Sequence, residues 1–517
     1  MIIIVHHNNK TVKLLDANMQ PLTTIAIEDS ISKSMKLVAQ VFSDELIIWC
    51  HQNLIDHLNV DSFSTVFHHK RILASYNLVE KTYLPKQIGY IERSYFLKMN
   101  KSVTYPTWLM NSQVGGVHAS VINNLKDSLK VSNSFDYFLN SLAKRAMVEG
   151  LFCYSEPKLL KPHSKLKIET SEGSTYTLFK FVKQHYKWVW VFFLSLCYLI
   201  YEKKLVVFPL LKSLFYRQLP TNFNLESIKI KSSKKVAISK TIDVVIPTIA
   251  RKQYLFDVLK DLAKQTHLPN NVIIVEQNPL ENSVSELNYL STNDWPFNIK
   301  HTFTHQSGVC NARNVALAQI ESEWTFLADD DIRFETDFFE NSFKEIDSKA
   351  ITALNYLCLQ PKQHQTYFKL HQTTVFGSGS SMVKSEALKG LKFNMAYEFG
   401  FGEDSEFGMQ LRSKGTDVVF IPNLKITHLK APIGGYRTKV KQLWADDVVM
   451  PKPSPTIMLL NQTYFTDQQL LGYKLLLGLR SFKHNKIKNP IAYIKQYKKQ
   501  WERSQFWSAK LRDNTNA

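Results

Sequence analysis

Three consecutive carboxylates, Asp329, Asp330 and Asp331, directly follow a short apolar run at residues 324–328. A buried strand that stops at an acidic cluster delivers those side chains to the rim of a sheet, where open α/β proteins bind ligands. Adjacent carboxylates repel one another unless a cation or hydrogen-bond donors offset their charge. The cluster therefore predicts a site for a hard divalent metal such as Mg²⁺ or Mn²⁺. The alternative is a solvated acidic loop.

A second acidic group, Glu403, Asp404 and Glu406, follows Gly402, and His428 lies about two dozen residues further on. A carboxylate that is remote in sequence from a metal site can act as a general base on the other side of a substrate. The alternative is that these residues form the acidic first turn of a helix, which the helix dipole favours by itself. Helix capping does not account for the acidic strand end as well, so the two groups together favour an enzyme.

Strands alternate with helices around these residues. Apolar runs at residues 242–246, 271–276, 299–303 and 324–328 indicate strands, the first of them stopped by Pro247. Helical spacing of apolar residues follows the first strand, and a second helix is predicted at residues 309–321. We therefore expect an α/β fold with a doubly wound sheet. Residues 375–382 are predicted to be a flexible turn of small residues, and residues 416–421 a further strand.

The flanking segments carry no comparable motif. Residues 1–235 are predicted to form a second α/β domain, with residues 231–235 as the linker to a catalytic domain at 240–450. The uncharged run at residues 188–201 is shorter than the roughly 20 residues that span a bilayer, so we expect a buried or interfacial helix. The extension at residues 451–517 is predicted to be helical. From residue 473 it contains 11 Lys and Arg residues against two acidic ones, a net charge of +9 interleaved with aromatic residues.

Charge and cysteine usage limit the partners and the compartment. The net charge of +19 over 517 residues suggests an anionic partner, and five scattered cysteines without disulfide spacing favour a reducing, cytosolic setting. Residues 1–7 lack the features of a signal peptide. A basic helix with Trp and Tyr on its other side is typical of binding to anionic membranes, so a peripheral position on the inner face is expected. The alternative is a solvated helix packed on the domain. Nucleic-acid binding is disfavoured, because no reading motif accompanies the basic tail.

Residues 240–440 resemble the inverting glycosyltransferases of family 2, which have the GT-A fold. The segment from Val244 to Thr248 looks like the opening nucleotide-binding strand and turn of that family, and Glu276 stands where an aspartate usually faces the base or ribose. Residues 308–314 resemble the G-x-x-x-A-R-N helix start, residues 329–331 the D-x-D metal motif, and Glu403 with Asp404 the acidic acceptor-side pair. His428 is similar to a later metal- or diphosphate-binding histidine. The N-terminal domain weakly resembles a degenerate, non-catalytic copy of the same fold; the alternative is an unrelated α/β domain.

The resemblance implies a transferase that moves a sugar from a nucleotide-diphosphate donor to a hydroxyl of a glycan or lipid-linked acceptor in surface polysaccharide synthesis. It implies Asp404 as general base, with Glu403 orienting it, and Mn²⁺ or Mg²⁺ held by Asp329, Asp331 and His428. Arg313 would support the diphosphate; its alternative is a surface helix charge, and that of His428 is a structural histidine. The substrate-binding residues are predicted to be Pro247, Thr248, Arg251, Glu276, Arg313, Asp329, Asp330 and Gly402.

Two other functions remain open at the level of sequence. A non-catalytic scaffold that binds carbohydrate or polyanions explains the charge equally well and predicts no metal-dependent turnover. A sugar nucleotidyltransferase would share the sheet and the metal, but it normally has a glycine-rich basic loop near its start. Residues 247–252 contain no glycine, which disfavours that function.

Overall fold

The computed structural model describes residues 1–516 apart from residues 26, 126–133, 163–167, 169–171, 222, 433–439 and 488. The chain forms two compact units, here called unit 1 (residues 1–234 and 465–477) and unit 2 (residues 235–464 and 478–517). The predicted domain limits at 1–235, 240–450 and 451–517 stay a prediction.

Unit 1 is an α/β domain. Its described strands form one sheet in the order β2-β1-β3-β6-β4-β7-β5, in which β1 and β3 are parallel and β6 runs antiparallel to β3. The strands are β1 (Ile2–His7), β2 (Lys10–Leu15), β3 (Leu46–His51), β4 (Ile72–Tyr76), β5 (Tyr105–Pro106), β6 (Val114–His118) and β7 (Phe152–Ser155). The helices are α1 (Ile31–Val41), α2 (Phe63–Val66), α3 (Ala119–Leu125), α4 (Phe135–Ala146), α5 (Thr175–His185), α6 (Trp190–Cys197) and α7 (Val207–Leu214).

Unit 2 contains the acidic clusters. Its strands are β8 (Ile242–Ile249), β9 (Asn271–Gln277), β10 (Asn298–Thr304), β11 (Trp324–Ala328), β12 (Ile332–Arg333), β13 (Ala353–Leu359), β14 (His371–Gln372), β15 (Ser380–Lys384) and β16 (Val419–His428). The helices are α8 (Lys252–Ala263), α9 (Tyr289–Thr292), α10 (Val309–Leu317), α11 (Phe338–Lys349), α12 (Ser385–Leu388), α13 (Glu403–Ser413), α14 (Pro455–Tyr464), α15 (Asp467–Lys483, shared with unit 1) and α16 (Pro490–Asn516).

The topology of the unit 2 sheet brings several strand ends to one edge. Among the described strands the order is β10-β9-β8-β11-β15-β13-β16-β12, with β14 beside β16. Strands β10, β9, β8 and β11 are parallel, as are β13 and β16, whereas β15 runs antiparallel between β11 and β13. The carboxyl ends of β8, β9, β11 and β16 therefore meet the start of β15 at one edge. The predicted α/β sheet is confirmed, with β15 as an antiparallel insertion.

Three predicted elements differ from the observed ones. Strand β8 continues through Pro247 to Ile249; β11 pairs with β8 only as far as Val245, so no hydrogen bond towards β11 is needed at the proline. Residues 375–382 are not only a turn, because β15 begins at Ser380. The strand predicted at residues 416–421 begins at Val419 and reaches His428, which it carries to the edge.

Two segments bear on the membrane prediction. Within the described residues, no helix has both the length and the apolar character needed to cross a bilayer. The run at residues 188–201 forms α6 and a further helical turn in unit 1. In α16, Tyr493, Tyr497 and Trp501 are buried within unit 2, so these three rings fit the alternative of a helix packed on the domain.

Candidate active site

The acidic triplet stands at the end of the buried strand β11, as the sequence predicts. Asp329, Asp331 and His428 place one ligand atom each within 4.8 Å of one another, and they are the described residues that could jointly hold a metal ion. His428 reaches the group because β16 ends there, paired with Ile332 just beyond the triplet. Strand ends that are far apart in sequence thus converge on one point.

The donor set fits a divalent metal. Asp331 is buried, and its Oδ1 atom has no hydrogen-bond partner among the described residues, although His428 Nε2 lies 3.1 Å away at ion-pair distance. Burial acts to raise the pKa of Asp331, but the contacts with His428 and the Ala431 N–H outweigh it, so the pKa lies below its ordinary value. A buried carboxylate that stays ionised, with a free lone pair beside an imidazole, suits Mn²⁺ or Mg²⁺.

Asp330 serves a different purpose from its neighbours. It is almost fully buried, accepts a hydrogen bond of 2.6 Å from Thr248 Oγ1 and forms an ion pair of 2.7 Å with Arg251. Burial raises the pKa of Asp330 to about 6, against the opposing effect of Arg251. Arg251 also lies 3.4 Å from Asp331. Asp330 therefore fixes the loop after β8 to the metal-binding group.

Arg313 joins the two acidic groups that are far apart in sequence. It is buried on α10, donates a hydrogen bond of 3.1 Å from Nη2 to Asp329 Oδ1, and has Nη1 3.9 Å from Asp404 Oδ1. Its guanidinium stacks on the ring of Phe393 at 5.3 Å. Burial acts to lower the pKa of Arg313, but the surrounding carboxylates raise it above its ordinary value. The surface-charge alternative for Arg313 is wrong.

Asp404 lies at the start of α13 with 43% of its side chain exposed. Its Oδ1 atom accepts hydrogen bonds from the backbone N–H and the hydroxyl of Ser378. These contacts and that with Arg313 all involve Oδ1. A carboxylate with this exposure can be reached by an acceptor hydroxyl and is suited to accept its proton.

Gly402 and Glu403 precede Asp404 in the turn that begins α13. Gly402 has a φ angle of +105°, a left-handed conformation that favours glycine, and Glu403 is buried. Both predicted residues therefore lie in the segment that sets the direction of Asp404.

The remaining predicted substrate residues lie at the same edge of the sheet. Glu276 is the penultimate residue of β9 and lies opposite Thr248 in β8, where Pro247 is buried next to Thr248. The Glu276 carboxylate accepts a hydrogen bond of 3.0 Å from the N–H of Glu286 and contacts His301 at 3.0 Å. Burial acts to raise the pKa of Glu276, and these partners lower it overall. Glu276 is thus held two strands away from the metal-binding group.

Three residues that sequence reasoning missed complete the site. Ser378 holds Asp404, and Gly379 packs so closely on Asp329 that a Cβ atom would come within 2.1 Å of its carboxylate. Glu398 accepts hydrogen bonds from the N–H groups of Cys310 and Asn311 at the start of α10. The N-terminus of the helix that carries Arg313 is therefore occupied by a carboxylate. For Ser378 and Gly379, the small-residue composition of residues 377–379 was the available signal in the sequence.

Part of this site lies in a region that matches a known protein family. Residues 243–395 match the family described as glycosyl transferase family 2. The match includes the acidic triplet, Arg251, Glu276 and Arg313, and it ends before Asp404 and His428. No curated protein matches the chain.

Similar solved structures are distant. The structure of S. aureus TarS 1-349 is 18% identical with a TM-score of 0.32, and the similarity covers 37% of this chain and 60% of that one. For the same protein in complex with UDP-GlcNAc the identity is 18%, the TM-score 0.34 and the coverage 47% and 72%. GalNAc-T7 with UDP, GalNAc and Mn²⁺ is 10% identical with a TM-score of 0.37, covering 50% of this chain and 54% of that one. The family match, and not these similarities, supports the function proposed for this chain.

Proposed function

We propose that this protein is a metal-dependent inverting glycosyltransferase, because residues 243–395 match glycosyl transferase family 2. It transfers a sugar from a nucleotide-diphosphate donor to a hydroxyl of a glycan or lipid-linked acceptor, in the synthesis of a surface polysaccharide. The observation that carries the proposal is the link from the candidate metal ligands Asp329, Asp331 and His428, through Arg313, to Asp404.

The reaction requires that the leaving diphosphate be stabilised and that the acceptor hydroxyl lose its proton. A divalent metal held by Asp329, Asp331 and His428 would offset the negative charge of the diphosphate. Arg313 holds Asp329 in place through its hydrogen bond. Asp330 holds Thr248 and Arg251 beside the proposed donor site. The nucleotide lies along the ends of β8 and β9, where Pro247 and Glu276 form the wall.

Asp404 is the general base of this proposal. Its Oδ2 atom takes the proton from the acceptor hydroxyl while the hydroxyl oxygen bonds to the anomeric carbon and the bond to the diphosphate breaks. Attack on the face opposite to the leaving group inverts the configuration at that carbon. Glu403 and Gly402 keep the start of α13 in the orientation that directs Asp404 to the acceptor.

In this proposal, α7 and the residues around it contact the membrane. Large apolar side chains are exposed along one face here: Phe208 (76%), Leu211 (50%) and Phe215 (88%), with Leu205 (79%) just before the helix. The buried residue of α7 is instead a polar one, Ser213. This inverted amphipathicity is typical of a surface that meets another apolar phase. Four exposed cations, Lys203, Lys204, Lys212 and Arg217, surround it, so an anionic bilayer surface is the complementary partner. The protein would be peripheral, on the cytoplasmic face where nucleotide sugars are made.

The test of catalysis is release of nucleoside diphosphate from a panel of nucleotide sugars with Mn²⁺ or Mg²⁺. We expect one donor to be hydrolysed slowly in a metal-dependent manner, and Asp331→Asn to abolish the release because it removes a ligand charge. Asp404→Asn should lower turnover by about 10²- to 10⁴-fold, the usual contribution of a general base. Asp294→Asn, an exposed carboxylate in unit 2, is the matched control and should behave as the wild type.

The outcome also separates the other functions. Metal-independent binding of glycans without turnover would replace the proposal with that of a scaffold. Release of pyrophosphate from a nucleoside triphosphate and a sugar phosphate would indicate a nucleotidyltransferase.

A further inference from the structure

The turn at residues 377–380 of unit 2 contacts Asp329, one of the candidate metal ligands. The turn closes with a hydrogen bond of 3.0 Å from the N–H of Ser380 to the carbonyl of Gly377, and it leads directly into β15. The antiparallel pairing of β15 with β11 continues one residue beyond the strands, because the N–H of Asp329 donates to the carbonyl of Gly379 at 3.3 Å. The Asp329 carboxylate fills the space that a Cβ atom on Gly379 would occupy. The position of Asp329 therefore depends on this turn.

The same turn contacts the proposed general base on its other side. Ser378 is 1% exposed, and it donates both its hydroxyl and its N–H, the latter at 3.3 Å, to Oδ1 of Asp404. Because both bonds come from one residue, the Asp404 carboxylate cannot rotate away from the turn without losing both of them. Ser378 is the chain neighbour of Gly379, so a single turn lies between a candidate metal ligand and the base.

Two buried side chains hold the turn in place. Asn355 of β13, which is 7% exposed, accepts hydrogen bonds at Oδ1 from the N–H of Gly377 at 2.9 Å and from the hydroxyl of Ser381 at 3.1 Å. Phe376 precedes the turn, is fully buried and packs on Phe407 of α13, with ring centroids 5.5 Å apart. A polar contact thus ties the turn to the sheet, and an apolar contact ties it to the helix that carries the base.

The separation of the metal from the base matters for the proposed reaction. The acceptor oxygen and the leaving diphosphate lie on opposite faces of the anomeric carbon, so the groups that serve them must be held at a fixed distance. A misplacement of about 1 Å can cost about 100-fold in rate. Residues that fix this distance should therefore affect turnover even though they act through other side chains.

We propose that the turn at residues 377–380 positions the metal-binding group and the general base relative to each other. Ser378 sets the direction of Asp404. Gly379 sets the position of Asp329, through its carbonyl and through the space left by its missing side chain. The anchor on β13 holds both contacts at once. This proposal rests on the proposed function, because it takes the roles of both aspartates from there.

The first test compares nucleoside diphosphate release by the full-length protein, with Mn²⁺ and the nucleotide sugar that the wild type hydrolyses. We expect Ser378→Ala to lower kcat at least tenfold and to leave the KM for the donor unchanged, because the lost hydroxyl donates to Asp404. Ser322→Ala is the matched control, since Ser322 also donates its N–H and its hydroxyl to one aspartate, Asp243, near the start of β8. It should turn over as the wild type. The melting temperature of each variant verifies that it folds.

The second test measures Mn²⁺ binding by electron paramagnetic resonance, with the product nucleoside diphosphate present and without turnover. We expect Gly379→Ala to weaken Mn²⁺ binding at least tenfold, because the added methyl group displaces the Asp329 carboxylate. Ser378→Ala should bind Mn²⁺ as the wild type does. Asn355→Leu keeps a similar volume but removes the acceptor that anchors the turn, so it should both weaken Mn²⁺ binding and lower kcat.

A double variant separates positioning from a general loss of stability. If Ser378 acts through Asp404, Ser378→Ala combined with Asp404→Asn should turn over like Asp404→Asn alone. Equal fold-losses in the two backgrounds, or wild-type turnover in Ser378→Ala, would overturn the proposal. Wild-type Mn²⁺ binding in Gly379→Ala would overturn it too. If the wild type releases nucleoside diphosphate from no donor, the proposed function itself is overturned and this proposal with it, so the two failures are distinguishable.

Discussion

Arg313 is the residue on which both halves of the candidate site depend. A lysine at this position keeps the charge but cannot contact Asp329 and Asp404 with two separate nitrogens or stack a planar group on Phe393. We expect Arg313→Lys to lower turnover by about 10²-fold or more, the scale found for loss of one preorganised donor. Nucleoside diphosphate release, compared at saturating donor, measures the effect.

Arg333→Lys is the control for that substitution. Arg333 also pairs with a carboxylate of unit 2, Asp261, at 2.6 Å, but it lies outside the acidic site. Equal losses in the two variants would mean that Arg313 acts through general stability and not through the site. Unchanged turnover in Arg313→Lys would remove the bridge from the proposed mechanism.

At the scale of elements, the start of α10 is stabilised by a residue that lies far away in sequence. Glu398 accepts hydrogen bonds from Cys310 and Asn311, and Gly308 has a φ angle of +137° and no Cβ atom to clash with that carboxylate. We expect Glu398→Ala to destabilise unit 2 by about 0.5–2 kcal/mol, the range for loss of a helix cap. A shift of the urea unfolding midpoint to lower concentration measures this effect.

Glu281→Ala, at an exposed glutamate of the same unit, should leave the midpoint unchanged. If Glu398→Ala unfolds at the same urea concentration as the wild type, the carboxylate does not act as a cap, and the helix N-terminus is available to a phosphate group.

Some residues of the candidate site could be predicted from the sequence, and others could not. The position of Asp329–Asp331 followed from a buried run that ends in charge. Arg313 followed from the resemblance of residues 308–314 to the G-x-x-x-A-R-N helix start. Both signals are contained in a few adjacent residues. Glu398 and Ser378 could not be identified in this way, since their partners lie 88 and 26 residues away and depend on the tertiary fold. Strand β15 was interpreted as a turn because the adjacent glycines and serines conceal a short strand whose partners are distant in sequence.

At the scale of the whole molecule, the proposed membrane partner requires a surface that could contact it. The net charge of +19 attracts an anionic bilayer from a distance, but charge alone gives no depth of insertion. The tail α16 buries Tyr493, Tyr497 and Trp501 within unit 2. In contrast, Phe208 of α7 and Phe215, which directly follows α7, are exposed to solvent. We therefore assign the apolar part of membrane binding to α7.

The variant Phe208→Glu/Phe215→Glu tests this assignment in flotation with vesicles of phosphatidylcholine and phosphatidylglycerol. We expect it to remain in the soluble fraction while the wild type floats, because two exposed apolar rings that would enter the bilayer are replaced by charges that the anionic surface repels. Leu280→Glu/Val284→Glu removes two apolar side chains of unit 2 with similar exposure, 69% and 76%, and adds the same charge. If both double variants lose binding equally, net charge and not α7 determines attachment. A wild-type protein that stays soluble but dimerises in light scattering would assign the apolar face to a second copy of the chain.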